Sequence, residues 1–242
     1  EEARRVTDKE ERNSAILTLL GKMLGIPVPR RIESFDISNI SGTDIVASMV
    51  VFQDGKPKKS GYRLFKIKET KVQDDYASMR EAITRRISHF EDPLSPPPDL
   101  FLIDGGLAHV RTAKEVLDQN GIDIPALGMV KDSHHKTRAL VTPDGEEISI
   151  AAEASVYSLI FRIQEEVHRF TVSKMMGSKR KTMKTSVLED IDGIGKSKAS
   201  ALLSRFGGLS GIKNAGREEL LTVKGITPAL ADKITDYFKN DK

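Results

Sequence analysis

The sequence runs to 242 residues, of which 38% are hydrophobic and 30% charged, with a formal net charge of +3. That length accommodates one or two domains, each with its own core. No apolar run approaches the roughly 18 residues needed to cross a bilayer, and the absence of cysteine rules out disulfides and thiolate metal sites. Any metal must therefore be held by carboxylates, imidazoles or carbonyls. The N-terminal stretch EEARRVTDKEER is charged and lacks the apolar segment of a secretory signal, so a cytoplasmic protein with no membrane partner is expected.

Ile16, Leu17, Leu19, Leu20, Met23 and Leu24 follow a charged start and predict a helix, which Gly25, Pro27 and Pro29 stop. The helix begins abruptly in helix-prone sequence, which suggests a piece of a longer chain. Three strand-like segments come next: 31–38 (RIESFDIS), 44–53 (DIVASMVVFQ) and 62–67 (YRLFKI). The intervening SGTD and DGKP suit short hairpins, so the sheet opens as an antiparallel meander. Tyr76, Met79, Ile83, Ile87 and Phe90 recur at helical spacing and predict a helix over 74–90. DLFLID at 99–104 has the pattern of a strand buried on both faces. Gly105-Gly106 ends it, a helix follows to Gln119, and Gly121 caps that helix. A further buried strand is expected over 125–131 and a hairpin over 137–150 around Pro143-Asp144-Gly145. A long amphipathic helix should span 153–172, with Val156, Leu159, Ile160, Ile163, Val167 and Phe170 as its apolar stripe. Antiparallel strands that give way to alternating strand and helix predict an α/β domain, a mixed sheet with helices packed on it.

From Lys174 to Lys184 the chain reads KMMGSKRKTMK, with five basic residues and no acid. Such a run is either a solvated linker or a segment that contacts phosphates. Beyond it the helices become short, glycines become frequent, and the chain repeats itself at an offset of 32 residues. Leu188, Ile191, Gly193, Ile194, Ala199, Leu202 and Phe206 match Leu220, Val223, Gly225, Ile226, Ala231, Ile234 and Phe238. Each copy reads as helix, glycine turn, helix, with turns Gly193-Ile194-Gly195 and Gly225-Ile226-Thr227. A glycine turn that opens a helix points free N–H groups outward, which makes an anion site, and on DNA the anion is a backbone phosphate. Lys196 and Lys198 add charge beside the first turn. A plain helical bundle with tight turns is the alternative, but a duplicated turn makes a symmetric unit able to grip both strands of a duplex. The paired arrangement resembles the helix-hairpin-helix family, which implies DNA binding without sequence specificity; Thr227 stands where that family expects glycine.

In the first domain, polar residues inside apolar strands carry the information. Asp36 interrupts SFDIS and Asp104 ends FLID. A buried carboxylate is costly unless paired or bound to a cation. If the two strands are neighbours, both side chains converge into an oxygen-rich site for a divalent ion. His168 sits at the edge of the long helix's apolar stripe, either as a packed histidine or as a third ligand. Glu165 and His168 form a Glu-x-x-His pair, but a di-iron bundle needs a second copy, and there is none.

The segments RIESFDISNISGTDIVASMVVFQDGKPKKSGYRLFKIK, DDYASMREAITRR, LIDGG and EEVHRF resemble the C-terminal endonuclease domain of the UvrC family of bacterial excision-repair nucleases. The resemblance implies an RNase H-like fold and a metal-binding set at Asp36, Asp104 and His168. It adds Asp75 as a further catalytic carboxylate; Lys131, at the end of its strand, is either a contact to the scissile phosphate or a simple surface lysine. By its position on the helical wheel, Glu81 should face away from the sheet and is not expected to be a ligand. Mn²⁺ or Mg²⁺ is the implied cofactor, with imidazole favouring the former. Incision on the 5′ side of a lesion in double-stranded DNA is the implied activity, with UvrB as partner, although the family's UvrB-binding segment and its other nuclease domain would precede residue 1. Two departures stand out: the family's small-residue and glutamine segment after LIDGG reads LAHV here, and its frequent RDEAHRFA reads QEEVHRFT. The expected organisation is a lead-in at 1–30, the RNase H-like domain at 31–175, a basic linker at 176–186 and an all-α tandem hairpin domain at 187–242. A resolvase acting on branched DNA and a DNA-binding module without catalysis remain as alternatives.

Overall fold

The computed structural model describes residues 2–40, 44–68, 74–131 and 137–240. Two compact units emerge, Glu1–Ser173 and Lys174–Lys242.

The first unit opens with helix α1 (Glu2–Leu24), which ends at the expected glycine. Strands β1 (Arg31–Ile40) and β2 (Asp44–Gln53) pair antiparallel along their full length. The SGTD turn between them falls largely on 41–43, outside the described residues. The DGKP turn behaves as its sequence predicts: Asp54 and Gly55 have φ of 50° and 72° and connect the paired residues Gln53 and Lys56. Two consecutive positive φ values form the tight hairpin turn that Asp-Gly favours. A short strand β3 (Lys56–Pro57) and a single 3-10 turn then lead to β4 (Arg63–Lys66), which is shorter than the run predicted at 62–67.

After α2 (Asp75–Ile87) the chain alternates: β5 (Leu100–Asp104), α3 (Leu107–Gln119), β6 (Ala126–Lys131), then β7 (Thr137–Val141) and β8 (Glu147–Ser149). Gly121, with φ of +65°, closes α3 as expected. Among the described residues the sheet order is β3-β2-β1-β5-β6-β7-β8, with β4 also paired to β2. β1, β5 and β6 are parallel at its centre.

Alternation along the strands sorts side chains onto two faces. Ile32, Val50, Leu100, Leu102, Leu127 and Met129 pack against Leu17 and Leu20 of α1 and against Leu159, Ile163 and Val167 of the long helix α4 (Ala154–Glu189). Phe35, Met49, Phe101 and Ile103 pack on the other face against Met79 and Ile83 of α2 and Val110 and Leu117 of α3. Each such apolar side chain contributes about 1.5–3 kcal/mol when withdrawn from water. Even-numbered residues of β1 and β5, and odd-numbered residues of β6, therefore point toward α4.

The stretch expected at 176–186 as a basic linker is helical. α4 does not stop near Val172 but continues to Glu189. The run is rich in Lys, Arg and Met, which are strong helix formers. Its single Gly177 costs only about 1 kcal/mol relative to alanine, too little to break the helix.

The second unit continues with α5 (Lys196–Phe206), α6 (Leu209–Asn214), α7 (Arg217–Leu221) and α8 (Pro228–Asn240). Its core is built from repeat positions: Leu188, Ile194, Ala199 and Leu202 from one copy, Leu220, Ile226, Ala231 and Ile234 from the other.

Candidate active site and candidate nucleic-acid interface

The parallel register of β1 and β5 sets Asp36 directly beside Asp104. Both extend the even-numbered rows of their strands, so both carboxylates lie on the α4 face, Asp104 at the C-terminal end of β5 and Asp36 beside it, midway along the longer β1. Lys131, last residue of β6, falls on the same face. The sheet thus presents carboxylate, carboxylate and ammonium from three adjacent strands.

The two carboxylates are poorly satisfied. Asp36 is 8% exposed. Ser38 Oγ stands 3.4 Å from its Oδ2, and Thr171 on α4 supplies a second hydrogen bond. Burial, reinforced by the neighbouring charge of Asp104, pushes its pKa from 3.8 up to about 6; the Thr171 bond and the charges of His168 and Lys131 pull the other way. Lys131 Nζ lies 2.7 Å from Asp104 Oδ1, an ion pair by distance. That ammonium offsets the charge on the buried oxygen.

Glu33, three residues before Asp36 on β1, shows what a satisfied buried carboxylate looks like. It is fully buried, and its oxygens accept four hydrogen bonds from Arg31 and Arg86 at 2.7–3.0 Å. Glu33 is locked into structure by two arginines, whereas the Asp36–Asp104 pair faces a single lysine. Side-by-side, desolvated carboxylates fit a divalent cation, which relieves their repulsion.

Of the other expected residues, His168 is exposed on α4 and stands within electrostatic reach of Asp36. Among the described residues, no three His, Asp or Glu side chains come together closely enough to hold a metal unaided. Asp75 is exposed in the first turn of α2, which Asp74 caps by accepting from the N–H groups of Tyr76 and Ala77, and it is not among the charges acting on Asp36. Glu81 does not face away as expected. It is 5% exposed, with Lys68 N–H and Arg85 on its carboxylate. Those partners draw it inward, and they also leave it a structural residue. Sequence reasoning missed Thr171 and Ser38. The signal for Thr171 was a polar residue three positions after His168, on the same helical face.

In the second unit the two turns are built alike. Gly193 and Gly225 have φ of +94° and +88°. Ile194 N–H donates to Ile191 O at 2.9 Å, and Ile226 N–H to Val223 O at 3.1 Å, the same bond at the repeat offset. Both isoleucine side chains are buried, so these positions offer only backbone to a ligand. Packing is reciprocal. A Cβ on Gly193 would meet Leu230 Cδ2 at 2.8 Å, and one on Gly225 would meet Lys198 Cε at 3.7 Å. Lys198 and Leu230 are themselves repeat partners, so the turns are related by a local pseudo-twofold. Exposed Gly195 and Lys196 open α5 with free N–H groups. At the second turn Thr227 replaces the glycine, and its Oγ1 accepts from Leu230 N–H at 3.3 Å, which leaves its own hydroxyl proton available. Lys198 Nζ donates to Gly193 O at 2.9 Å.

A mixed sheet with parallel central strands, helices on both faces and paired carboxylates on adjacent strands defines an RNase H-like nuclease fold, followed by a helical hairpin pair. Comparison with known proteins agrees. Residues 21–172 match the family model for the UvrC RNase H endonuclease domain, and 185–240 match the SAM-like helix-hairpin-helix tandem. The chain belongs to the UvrC family. The UvrABC system protein C of Clostridium novyi is 42% identical over 97% of this chain and 40% of its own length. That of Caldanaerobacter subterraneus subsp. tengcongensis is 46% identical over 88% and 36%. The chain therefore spans about 40% of the length of such relatives. Among solved structures, Ciona intestinalis endonuclease V in complex with an inosine-containing DNA is 19% identical with a TM-score of 0.35, over 54% of this chain and 57% of that one.

Proposed function

We propose that the chain is the metal-dependent endodeoxyribonuclease part of a cytoplasmic excision-repair enzyme, cutting the strand on the 5′ side of a lesion in double-stranded DNA. The observation that carries this reading is the Asp36–Asp104 pair, desolvated and in register on adjacent strands. Asp36 and Asp104 would hold a divalent cation, Mn²⁺ or Mg²⁺, and His168 would be the further ligand. When bound, that cation neutralises phosphate charge and acidifies a water. Lys131 neutralises one Asp104 oxygen and reaches toward the scissile phosphate. Asp75, at the exposed start of α2, is the fourth residue that the family resemblance adds to the set. The paired turns at 193–195 and 225–227, with Lys196 and Lys198, hold the duplex by its backbone, without reading bases. UvrB is the proposed partner that brings the enzyme to damage.

The test is nicking of a lesion-bearing duplex by the full-length protein with UvrB and Mn²⁺. Asp36→Ala should abolish incision and chelation should do the same. Unaltered nicking by Asp36→Ala would overturn the site. Preferential cleavage of four-way junctions over lesion duplexes would favour a resolvase instead.

A further inference from the structure

Tyr76 opens the apolar stripe that predicts α2, yet it does not share the burial of that stripe. Met79 and Ile83 are fully buried, whereas Tyr76 is 49% exposed. Its ring is nevertheless held in place. The His109 ring of α3 lies against it, with centroids 5.0 Å apart and planes tilted by 47°, a spacing at which aromatic rings attract. Asp74 accepts from the Tyr76 N–H at 3.0 Å and pins the backbone. His109 in turn rests on the turn that follows Asp104. A Cβ on Gly105 would meet His109 Cγ at 2.8 Å, so the imidazole covers a place that only glycine leaves open. On the strand side, a Cβ on Gly128 of β6 would meet Gly105 O at 2.9 Å, so the same turn is packed closely against the neighbouring strand. Tyr76, His109 and Gly105 thus form a continuous stack that ends at the residue next to Asp104. His109 belongs to LAHV, the segment in which the sequence departs from the family pattern.

We infer that Tyr76, backed by His109, is a stacking platform for one unstacked nucleobase of the strand being cut. This inference rests on the proposed nuclease reading. A tyrosine face accepts any base that has left the duplex stack, because every base has a π-face. Charge decides between base and backbone. Asp74 and Asp75, both exposed, immediately precede Tyr76 and repel phosphate, whereas Lys131 attracts it on the Asp104 side. The backbone is drawn to the carboxylate pair and its lysine, and a neighbouring base turns to the ring. A held base fixes the register of the scissile bond without reading sequence.

Two measurements on the full-length protein with UvrB and Mn²⁺ test this. In the first, 5-iodouracil replaces in turn each nucleotide flanking the incision in a lesion-bearing duplex. The duplex is irradiated with Asp36→Asn protein, so that the strand stays whole. The crosslink should map to the peptide that contains Tyr76, persist in Tyr76→Phe and disappear in Tyr76→Leu. In the second, the nucleotide that crosslinks is made abasic and incision is followed. Tyr76→Ala should lower kcat/KM about tenfold on the intact duplex, as loss of one stacked base does. Wild type should lose a similar factor on the abasic duplex, and there the variant should match it. Tyr76→Phe should cut both like wild type. A merely structural tyrosine would slow both duplexes alike when replaced, and that result overturns the platform, as does the absence of a crosslink at Tyr76. If Tyr76→Ala instead weakens association with UvrB and shows no dependence on the base, the ring serves a protein and the platform fails. Asp36→Asn keeps the two readings apart. Undiminished cutting by it removes the metal site whatever the crosslink shows, whereas a whole strand without a crosslink removes the platform alone.

Discussion

The two units reach their candidate sites by opposite routes. In the second unit everything needed for a turn lies within about ten residues, and the chain writes it twice. Gly193 and Gly225, the buried isoleucines and the helix starts reproduce each other bond for bond. In the first unit the site is assembled from β1, β5 and β6, and residues 36, 104 and 131 meet only because the strand order puts β5 between β1 and β6, with His168 of α4 within electrostatic reach. A local site tolerates the loss of one copy. An assembled site has no spare part, so its residues should fail singly and completely.

The sharpest break in that comparison is Asp104→Ala. Incision by the full-length protein should fall at least about a thousandfold, as for other preorganised electrostatic groups. Affinity for duplex DNA, read by fluorescence anisotropy, should stay within about twofold. A parallel loss of affinity would mean that the two units do not divide the work.

In the hairpins, Gly193→Ala together with Gly225→Ala forces L-residues into positive φ and drives a Cβ toward Leu230. DNA affinity should drop about tenfold or more, with either single change costing less. Proteolysis should show the second unit loosened and the sheet domain intact.

Asp36→Asn tests the strain in the carboxylate pair. The Asp36 pKa is raised from 3.8 to about 6. The folded state therefore holds the proton more tightly than the unfolded chain does. The stability this proton contributes is full below pH 4 and is lost as pH rises through about 6. Asparagine carries no such penalty. In the presence of chelator the variant should be more stable than wild type by about 2–3 kcal/mol at pH 7.5, and the gain should vanish below pH 4. A pH-independent difference in melting temperature would refute the raised pKa that burial and the Asp104 charge impose.

The smallest effect belongs to Lys196→Ala. If this lysine neutralises one phosphate, the slope of log affinity against log salt should shrink by about one. An unchanged slope would remove Lys196 from the interface and leave the backbone N–H groups as its donors.

Much of the fold is legible from sequence because its determinants are local. The apolar period of 74–90, the Asp-Gly turn, the closing Gly121 and the 32-residue repeat each describe structure within one or two elements. The helical path of 176–186 is harder to read, because a basic run suits a solvated linker as well as a helix, and only the propensities of its residues favour the helix. Glu81 escapes a helical wheel because the wheel does not include Lys68 and Arg85, which draw it inward.

The candidate catalytic site divides along the same line. By itself, the sequence determined that Asp36 and Asp104 interrupt apolar strands, and that the hairpin turns come as a pair. Tertiary structure separated them from Glu33, which stands in the same strand as Asp36. Glu33 meets two arginines, one of them 53 residues away, and is satisfied. Asp36 and Asp104 meet each other and a single lysine. A strand's alternation fixes which face a side chain takes, but the charge it finds there comes from residues far along the chain. The repeat needs no such partner, because its two copies pack against each other and supply their own symmetry.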